Sequence, residues 1–528
     1  MQPLMAGTII MIDLKDLELR YNDACQWKSN WLGLLEEVYR LILPNRSALS
    51  EEFGYRNDGS PLTEEIWDDT AVRASYQRSN DLSSLLMPKD RTWGKFSFNP
   101  KNINEEQISS NQVFLDEVNE DVFWYLNQSN LSTIVSQSNL DLCAGTAAIW
   151  VQSHSDIDPL QFLSIPALTV VNENTFSDEL DVSWFKRRFN PSSFEKYFPK
   201  CKTKLVDDAK ASNSPITVVY GQVKLDDDRY YIYACHEEDM ETPLFAYEKP
   251  YKQLIVYRDR VRPGESDGRG IAIDMLPTVR VVNKLMRDIV KSSSYRANPP
   301  MFYDVGGYFN PYSIQSWEGK FIPRRQDARD PVSALQMPES PSTRDLLMDL
   351  RQTIKDGFQA DPLGDVQGSI KSATEMGIRD KRAQRTAMTD IGRLINELPA
   401  QIYETSLKIL MEKNLINLKQ FSKKWFRFSF QSPLYDIEKA AQVQSLIENV
   451  QIKDNMAGQG AALMTMNVGE ISDFLTEAQD LPAKLFKSGD EVNQKMKNIT
   501  DNATQQQQQQ QGQQQPMQPN AAPQVGMP

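Results

Sequence analysis

The sequence predicts an α+β protein that is mainly helical. Apolar residues recur at helical spacing near the N-terminus and again after about residue 270, and a region of short β-branched and aromatic runs lies between them. The chain has 528 residues, of which 40% are hydrophobic, so it can bury more than one core. We therefore expect helical segments on either side of a mostly β subdomain.

The N-terminal region is predicted to be largely helical. Between Leu14 and Leu43 the apolar residues follow one helical stripe, and Pro44 ends the run. A second helix is expected from about Thr63 to Met87, because a proline follows it. The aromatic and aliphatic side chains of these helices indicate ordinary core packing rather than a binding site.

A β subdomain and two helices are predicted next. Between Thr146 and Arg262, runs such as 147–151 and 254–257 combine β-branched and aromatic residues and are separated by polar turns. The helical period returns around 272–297 and 342–358, on either side of about 45 residues rich in proline, glycine and aromatic side chains. This order predicts a stalk of two helices with a small irregular module at its tip.

A loop, a long helix and a polar tail complete the prediction. Residues 361–369 contain two glycines and a proline, which favour a flexible loop. Ser372 and Glu375 form a capping box, after which one apolar stripe continues for several turns. A kink is expected near Leu398, because Pro399 removes an amide donor. More helices are expected from Ile437 to about Lys497, and the glutamine-rich end should be disordered because it has nothing to bury.

Composition excludes several classes of site. The formal charge is -13, from 58 basic and 71 acidic residues, which argues against a surface that wraps DNA tightly. The four cysteines, Cys25, Cys143, Cys201 and Cys235, are widely separated and form no CxxC pair. We therefore expect neither a metal site nor a disulfide framework, and this cysteine usage is consistent with a reducing cytoplasm. The apolar run from Leu4 to Ile12 is too short to span a membrane, and no membrane association is expected.

Catalytic motifs are few, and we expect neither an enzyme nor a bound cofactor. The chain has no GxxxxGK[ST] motif, and its two histidines, His154 and His236, do not form the HExxH pattern of zinc enzymes. Residues 264–268 read GxSxG and lie between a predicted strand and a predicted helix, so a serine hydrolase that uses Ser266 is one alternative. Both histidines precede Ser266 in the chain, however, whereas in α/β-hydrolases the histidine base follows the serine.

The two stalk helices carry charged faces. In the first helix, steps of four, three and four residues align four basic side chains, Arg280, Lys284, Arg287 and Lys291. An apolar stripe lies beside them, formed by Val279, Val282, Met286 and Ile289. The second helix carries Asp345, Asp349 and Asp356 next to Leu346, Leu350 and Ile354. These faces could pair within one subunit or between neighbours, and the alternative is a solvated basic face without a specific partner.

Short stretches spread along the chain resemble those of one known family. They are Leu43-Pro44, residues 66–72, Leu82 to Pro88, Trp93, Gly268-Arg269-Gly270, Leu276-Pro277, Asn283, Pro299-Pro300, Ser372 to Glu375, Arg379, Gly392-Arg393 and Glu397. Their order and spacing are similar to those of portal proteins, the head-to-tail connectors of short-tailed phages (podoviruses). The resemblance covers roughly residues 13–490.

This resemblance implies a ring, typically of about twelve subunits, around a central channel at one capsid vertex. The terminase would package double-stranded DNA through the channel, and the DNA would later be ejected through the same channel. The DNA would pass without sequence-specific binding. The other implied partners are the tail adaptor, the major capsid protein and the scaffold protein. The protein would be assembled in the host cytoplasm and become part of the virion. Another virion component, an adaptor or scaffold without a self-closing ring, is a second alternative.

The resemblance also implies an organisation into wing, stem, clip and crown. Its segments are the wing 1–262, stem helix 263–298, clip 299–341, stem helix 342–358, tunnel loop 359–371, long kinked wing helix with the following segment 372–433, crown 434–500 and disordered tail 501–528. The channel constriction would be formed by Gln359, Asp361, Asp365, Gln367 and Gly368, where the two aspartates would repel DNA phosphates. Arg324 and Arg325 in the clip would contact the terminase or the adaptor.

Overall fold

The chain divides into two units, Met1–Phe430 and Gln431–Pro528. In the first unit, the computed structural model describes residues 14–46, 63, 65–89, 91–98, 105–155, 157–173, 180–199, 210–212, 214–225, 229–304, 321–324, 332–334, 341–358, 392–417 and 426–430. In the second unit it describes residues 443, 445, 446, 448, 449 and 452, whose backbone is helical. The predicted crown and tail otherwise lie outside the described residues.

Helices form most of the regular structure of the first unit. The described helices are α1 Leu14–Leu41, α2 Thr70–Leu86, α3 Glu105–Gln128, α4 Leu131–Leu142, α5 Pro191–Tyr197, α6 Ile271–Ala297, α7 Pro341–Gly357 and α8 Pro399–Glu412. The helices predicted around 272–297 and 342–358 are confirmed as α6 and α7. Helix α2 begins at Thr70 rather than near Thr63, and the carboxylate of Asp68, just before the helix, accepts a hydrogen bond from the Thr70 backbone N–H. The helical spacing did not single out α3 and α4 within the N-terminal region.

The strands form four sheets among the described residues. They are β1 Gly94–Phe98, β2 Thr146–Ser153, β3 Leu160–Ile165, β4 Val170–Asn172, β5 Val182–Phe189, β6 Ile216–Lys224, β7 Tyr230–His236, β8 Asp239–Lys249, β9 Leu254–Arg258, β10 Met301–Asp304, β11 Phe321–Arg324, β12 Val332–Ala334 and β13 Phe426–Phe430. Antiparallel pairing gives a five-stranded sheet of order β4-β5-β6-β7-β8 and a three-stranded sheet of order β3-β2-β9. These two sheets confirm the β subdomain predicted between Thr146 and Arg262.

The segment between α6 and α7 contains a small sheet. Strand β10 follows α6 closely and pairs in parallel with β11 and antiparallel with β12. The module predicted to be irregular therefore contains regular structure. It was missed in the sequence because strands this short leave no helical periodicity. A further strand pair joins distant parts of the chain, since β1 pairs with β13 and Gly94 lies opposite Phe430.

Two apolar cores hold the elements that position α6 and α7. One core joins α2, α3, α4, β2, β9 and α8, and its centre includes Trp93, Phe123, Tyr257 and Tyr403. The other core joins α1, α2, α6 and α7 through residues such as Val38 and Leu276. The described residues include no helix that is both long enough and apolar enough to cross a bilayer.

The long C-terminal helix of the prediction is described only from residue 392 onwards. Residues 392–397 are helical, Leu398 is a turn residue, and α8 starts at Pro399. The predicted kink near Leu398 is confirmed, since proline is well tolerated in the first turn of a helix but not in its interior. Residues 359–391, which include the predicted tunnel loop and capping box, lie outside the described residues.

Candidate functional site

The candidate site is the pair formed by α6 and α7, with the structure that anchors it. The two helices run antiparallel. The backbone of Gly357, at the end of α7, lies against Met275 near the start of α6, and farther along the pair the guanidinium of Arg351 lies 3.8 Å from the sulfur of Met286. Their shared interior includes Val279, Val282, Leu347 and Ile354, which are buried, and the partly buried Met286, Ile289 and Leu350. The predicted apolar stripe of α6 is thus confirmed.

Three glycines allow the chain to enter α6 in close contact with the start of β2. At Gly145, Gly268 and Gly270 an added Cβ would lie well under 3.0 Å from backbone atoms, and Gly145 also has a positive φ of 130°. We call these residues the glycine joint. The N–H of Ala272 in the first turn of α6 donates to the carbonyl of Cys143 at 2.9 Å. The Gly-Arg-Gly sequence therefore fits α6 directly onto the β subdomain.

A buried ion pair lies beside the glycine joint. The Nζ of Lys28 on α1 lies 3.0 Å from Oδ2 of Asp267, and their side chains are only 2% and 6% exposed. The other carboxylate oxygen of Asp267 accepts hydrogen bonds from Thr146 at 3.1 Å and from Asn172 at 3.2 Å. This network joins α1, β2 and β4 to the turn before α6, and sequence spacing contained no sign of it.

Two further ion pairs hold the same region. Arg258, at the end of β9, is buried and donates to Glu397 from its side chain and from its backbone N–H, both at 2.8 Å. Arg269 makes two hydrogen bonds to Glu265 and lies 4.6 Å from the centre of the Trp31 ring. The hydrogen bonds from Arg269 hold the pKa of Glu265 below its ordinary value. Glu397 and Arg269, noted in sequence as family-like residues, therefore have structural roles here.

Contacts from the N-terminal region fix the sides of the α6–α7 pair. Arg280 of α6 donates to Glu37 of α1, with an Nε–Oε1 distance of 2.5 Å, and this hydrogen bond lowers the pKa of Glu37. Arg351 of α7 donates to Asp68 at 2.8 Å. The side-chain amide of Asn283 donates to the carbonyl of Glu65, while its oxygen accepts from backbone N–H groups of residues 67 and 68. The base of the pair is thus fixed on two sides.

The charged faces predicted for these helices are mostly exposed. Lys284, Arg287 and Lys291 are exposed, as are the three aspartates of α7, Asp345, Asp349 and Asp356. Arg280 is also exposed, but its guanidinium is bound to Glu37. Nε of Arg287 lies 3.7 Å from its neighbour Asp288. The described pairings of Arg280 and Arg287 are thus made within the subunit.

One sequence expectation for α7 was wrong. Leu346 was expected on the apolar side of α7, but it is 49% exposed, and Leu347 is buried in its place. The reason is geometric: Leu347 and Ile354 are seven residues apart and share one side of the helix, whereas Leu346 is turned about 100° from Leu347. Met348, 66% exposed, is a second large apolar side chain on the surface of α7.

The predicted loop and clip residues are only partly described. The five tunnel-loop residues, Gln359, Asp361, Asp365, Gln367 and Gly368, lie outside the described residues, as does Arg325. Arg324 is the last residue of β11, where its backbone lies opposite Asp304 of β10. Their proposed contacts remain predictions.

The surroundings of Ser266 do not resemble a hydrolase site. Ser266 lines a cavity of about 290 Å³ between α1 and residues 264–269, and the described residues around that cavity include no histidine. His236 lies at the end of β7, where its Nδ1 accepts a hydrogen bond from the N–H of Glu238. Within the GxSxG motif, the carboxylate of Asp267 forms an ion pair with the ammonium group of Lys28. The motif therefore forms a structural turn that leads into α6.

The described residues contain no cluster of three or more histidine, cysteine, aspartate or glutamate side chains arranged for a metal ion. Burial raises the pKa of Cys143 to about 12 and that of Cys235 to about 12. These two thiols are therefore poor nucleophiles and poor metal ligands at neutral pH.

Comparison with known proteins gives one family. The family described as "Bacteriophage head to tail connecting protein" matches residues 14–486. Among solved structures, one similar chain is described as "Neck of empty GTA particle computed with C6 symmetry", with 9% identity, a TM-score of 0.32, and coverage of 74% of this chain and 90% of that chain. No curated protein matches. Because the family match extends over most of the sequence, this chain belongs to the bacteriophage head to tail connecting protein family.

Proposed function

We propose that this protein is a portal subunit. Copies would form a ring at one capsid vertex, through which the terminase packages double-stranded DNA and through which the DNA later leaves. The family match over residues 14–486 carries the proposal. The antiparallel α6–α7 pair supports it, since a firmly anchored pair of long helices is suited to form one segment of a channel wall.

The anchoring of the pair suits this role. Helix α6 contains 27 residues, so it extends about 40 Å at 1.5 Å per residue. Its base is fixed by the glycine joint, by the Lys28–Asp267 pair and by contacts to α1 and α2. A subunit held in this way keeps its orientation when many copies come together. We assign α6 and α7 to the stem, residues 299–341 to the clip and residues 1–262 to the wing.

The charge of the chain fits passage of DNA rather than tight binding. A formal charge of -13 weakens non-specific attraction to phosphates. We propose that residues 359–371 form the tunnel loop, where Asp361 and Asp365 would repel the DNA backbone. The crown, residues 434–500, would face the capsid interior.

The remaining partners follow from the same assignment. Arg324 and Arg325 in the clip would contact the terminase during packaging and the tail adaptor afterwards. The major capsid and scaffold proteins would surround the ring during assembly in the host cytoplasm, and the product would be part of the virion. In this role the chain has no catalytic step of its own and needs no cofactor.

Electron microscopy of the purified chain tests the proposal. Negative-stain images combined with native mass measurement should show closed rings of about twelve copies with a central hole. If the chain assembles only when scaffold protein is added, and then closes into such rings, the proposal also holds. Open or small oligomers both with and without scaffold would overturn it and favour an adaptor or scaffold component.

A further inference from the structure

Helix α6 has a charged face that points away from its buried side. At about 100° per residue, Lys284 and Lys291 lie roughly opposite Val279, Val282 and Met286, which are buried or partly buried. The apolar residues Val281 and Tyr295 are 48% and 49% exposed on the same side. We call Val281, Lys284, Arg287, Lys291 and Tyr295 the basic face of α6. Asp288, near Arg287, offsets one of its charges.

Helix α7 has the opposite charge on its own outward side. Asp345, Asp349 and Asp356 are exposed and lie at steps of four and seven residues, so they share one side of the helix. That side lies roughly opposite Leu347 and Ile354, which are buried. We call the three aspartates the acidic face of α7.

The two faces lie at matching levels along the pair. The backbone of Gly357 lies against Met275, and this contact gives a common level for the two antiparallel helices near the base of the pair. At about 1.5 Å per residue, Lys284 is about 14 Å from that level toward the tip, close to Asp349 at about 12 Å. Arg287 and Asp345 both lie about 18 Å toward the tip, and Lys291 lies beyond them at about 24 Å. The charges of the two faces therefore interleave in height.

Because α6 and α7 pack through their inner sides, their charged faces point to different sides of the pair. The basic face of one copy can consequently meet the acidic face of a second copy, and this contact repeats from copy to copy. Such a head-to-tail contact, in which two different surfaces meet, closes into a ring when the rotation between copies allows it. One copy cannot satisfy both faces by itself.

We propose that neighbouring subunits associate by contact between the basic face of α6 and the acidic face of α7, with Lys284 and Arg287 placed at the level of Asp349 and Asp345 of the next copy. This inference rests on the proposed portal function and names its subunit interface. A second copy fits the basic face better than DNA does, because the matching acidic face lies on the same helix pair. An exposed ion pair contributes about 0–1 kcal/mol, but each contact recurs at every interface of the ring.

Paired charge reversals test this interface. The first variant carries Lys284→Glu and Lys291→Glu, and the second carries Asp345→Lys and Asp349→Lys. A matched control for the first variant carries Arg344→Glu and Lys355→Glu, which makes the same change in net charge as that variant at exposed positions of α7 away from the acidic face. The three variants and the wild-type chain are compared by native mass measurement and negative-stain microscopy.

Each charge-reversed variant alone should lose ring assembly by roughly tenfold or more, which corresponds to ~1.4 kcal/mol or more. The control should form rings like the wild type. An equimolar mixture of the two variants should recover rings, because an alternating order gives each negative α6 a positive α7 and each positive α6 a negative α7. That recovery is specific for contact between copies, since a pairing within one copy would not be restored by mixing.

The outcomes separate this inference from the proposed function. Wild-type chain that forms no ring, even with scaffold, overturns the portal proposal and the interface with it. If the wild-type chain forms rings and both charge-reversed variants form them equally well, the proposed interface is overturned and the portal proposal is not. Variants that form normal rings but retain less DNA in particles would assign the basic face to DNA and would likewise overturn the interface. Loss in each variant with recovery in the mixture supports it.

Discussion

The ammonium group of Lys28 lies 3.0 Å from the carboxylate of Asp267, although 239 residues separate them in the chain. Both side chains are buried, and Thr146 and Asn172 also donate to Asp267. The pair therefore fixes the turn before α6 to α1 and to two strands of the β subdomain. The orientation of α6 depends on this contact as well as on apolar packing.

Removal of one partner from this buried pair should destabilise the protein strongly. Asp267→Ala leaves the Lys28 charge buried without its counterion, and we expect the free energy of unfolding to fall by about 3–5 kcal/mol. Denaturant unfolding followed by circular dichroism measures the change. As a control, Lys15→Ala removes an exposed ion pair with Glu241 and should cost less than about 1 kcal/mol. Equal stability of the two variants would contradict the role of the buried pair.

The glycine joint should not tolerate a side chain. In Gly270→Ala the new Cβ would lie well under 3.0 Å from the carbonyl oxygen of Cys143, and a backbone atom cannot move aside easily. We expect a lower thermal midpoint and loss of ring assembly. Gly33→Ala is the matched control: Gly33 lies within α1 with nothing within 4 Å of an added Cβ, so alanine should stabilise the helix by about 1 kcal/mol. A Gly270→Ala protein as stable as the wild type would refute the steric argument.

Stability in acid should depend on Asp68. Burial opposes ionisation of this carboxyl group, but hydrogen bonds from Thr70 and Arg351 outweigh it, so the net effect lowers its pKa. A lowered pKa in the folded state adds stability above the unfolded value of about 3.9, and this contribution is lost as the pH falls through the folded value.

The corresponding variant is Asp68→Asn. It should be less stable than the wild type at pH 7, and its stability should decline less on acidification below about pH 4, as measured by denaturant midpoints at a series of pH values. Arg351→Met removes the same ion pair from the other side and should also lower stability at pH 7. Identical pH profiles for Asp68→Asn and the wild type would show that Asp68 does not contribute in this way.

Ser266 should be dispensable for function. Ser266→Ala keeps the backbone of the turn, whose carbonyl accepts a hydrogen bond from Arg258, so rings should assemble as in the wild type. Hydrolysis of p-nitrophenyl acetate by the wild-type chain should not exceed that of the variant. A wild-type esterase activity that the substitution abolishes would restore the hydrolase alternative.

Shortening the proposed tunnel loop should affect DNA rather than assembly. Deletion of Gln367 and Gly368 should leave rings intact but reduce the DNA content or DNA retention of particles when the variant replaces the wild-type protein during infection. Deletion of two glutamines from the run 505–511 is a matched control, and it should leave DNA content unchanged. Normal genome filling in the loop-deletion variant would contradict the assignment of the channel constriction to residues 359–371.

Local patterns explain which elements could be predicted. The bounds of α1, α6 and α7 follow from the spacing of apolar residues and from flanking proline or glycine, so one continuous segment contains the information. Strand pairing such as Gly94 with Phe430 joins residues far apart in the chain, and no local pattern identifies such partners. The exposure of Leu346 was missed for a similar reason, since the packed side of α7 depends on where α6 lies.

The sequence by itself determined the mixed, mainly helical class, the two stalk helices, their charged faces and the family to which the chain belongs. It did so because helical periodicity and short ordered motifs are properties of contiguous residues. Only the tertiary structure decided which charged side chains form ion pairs within the subunit. Packing brings Arg280 to Glu37 and Asp267 to Lys28, whereas Lys284 and Lys291 stay exposed. The partner of a charge depends on contacts between distant segments, which spacing along the chain does not encode.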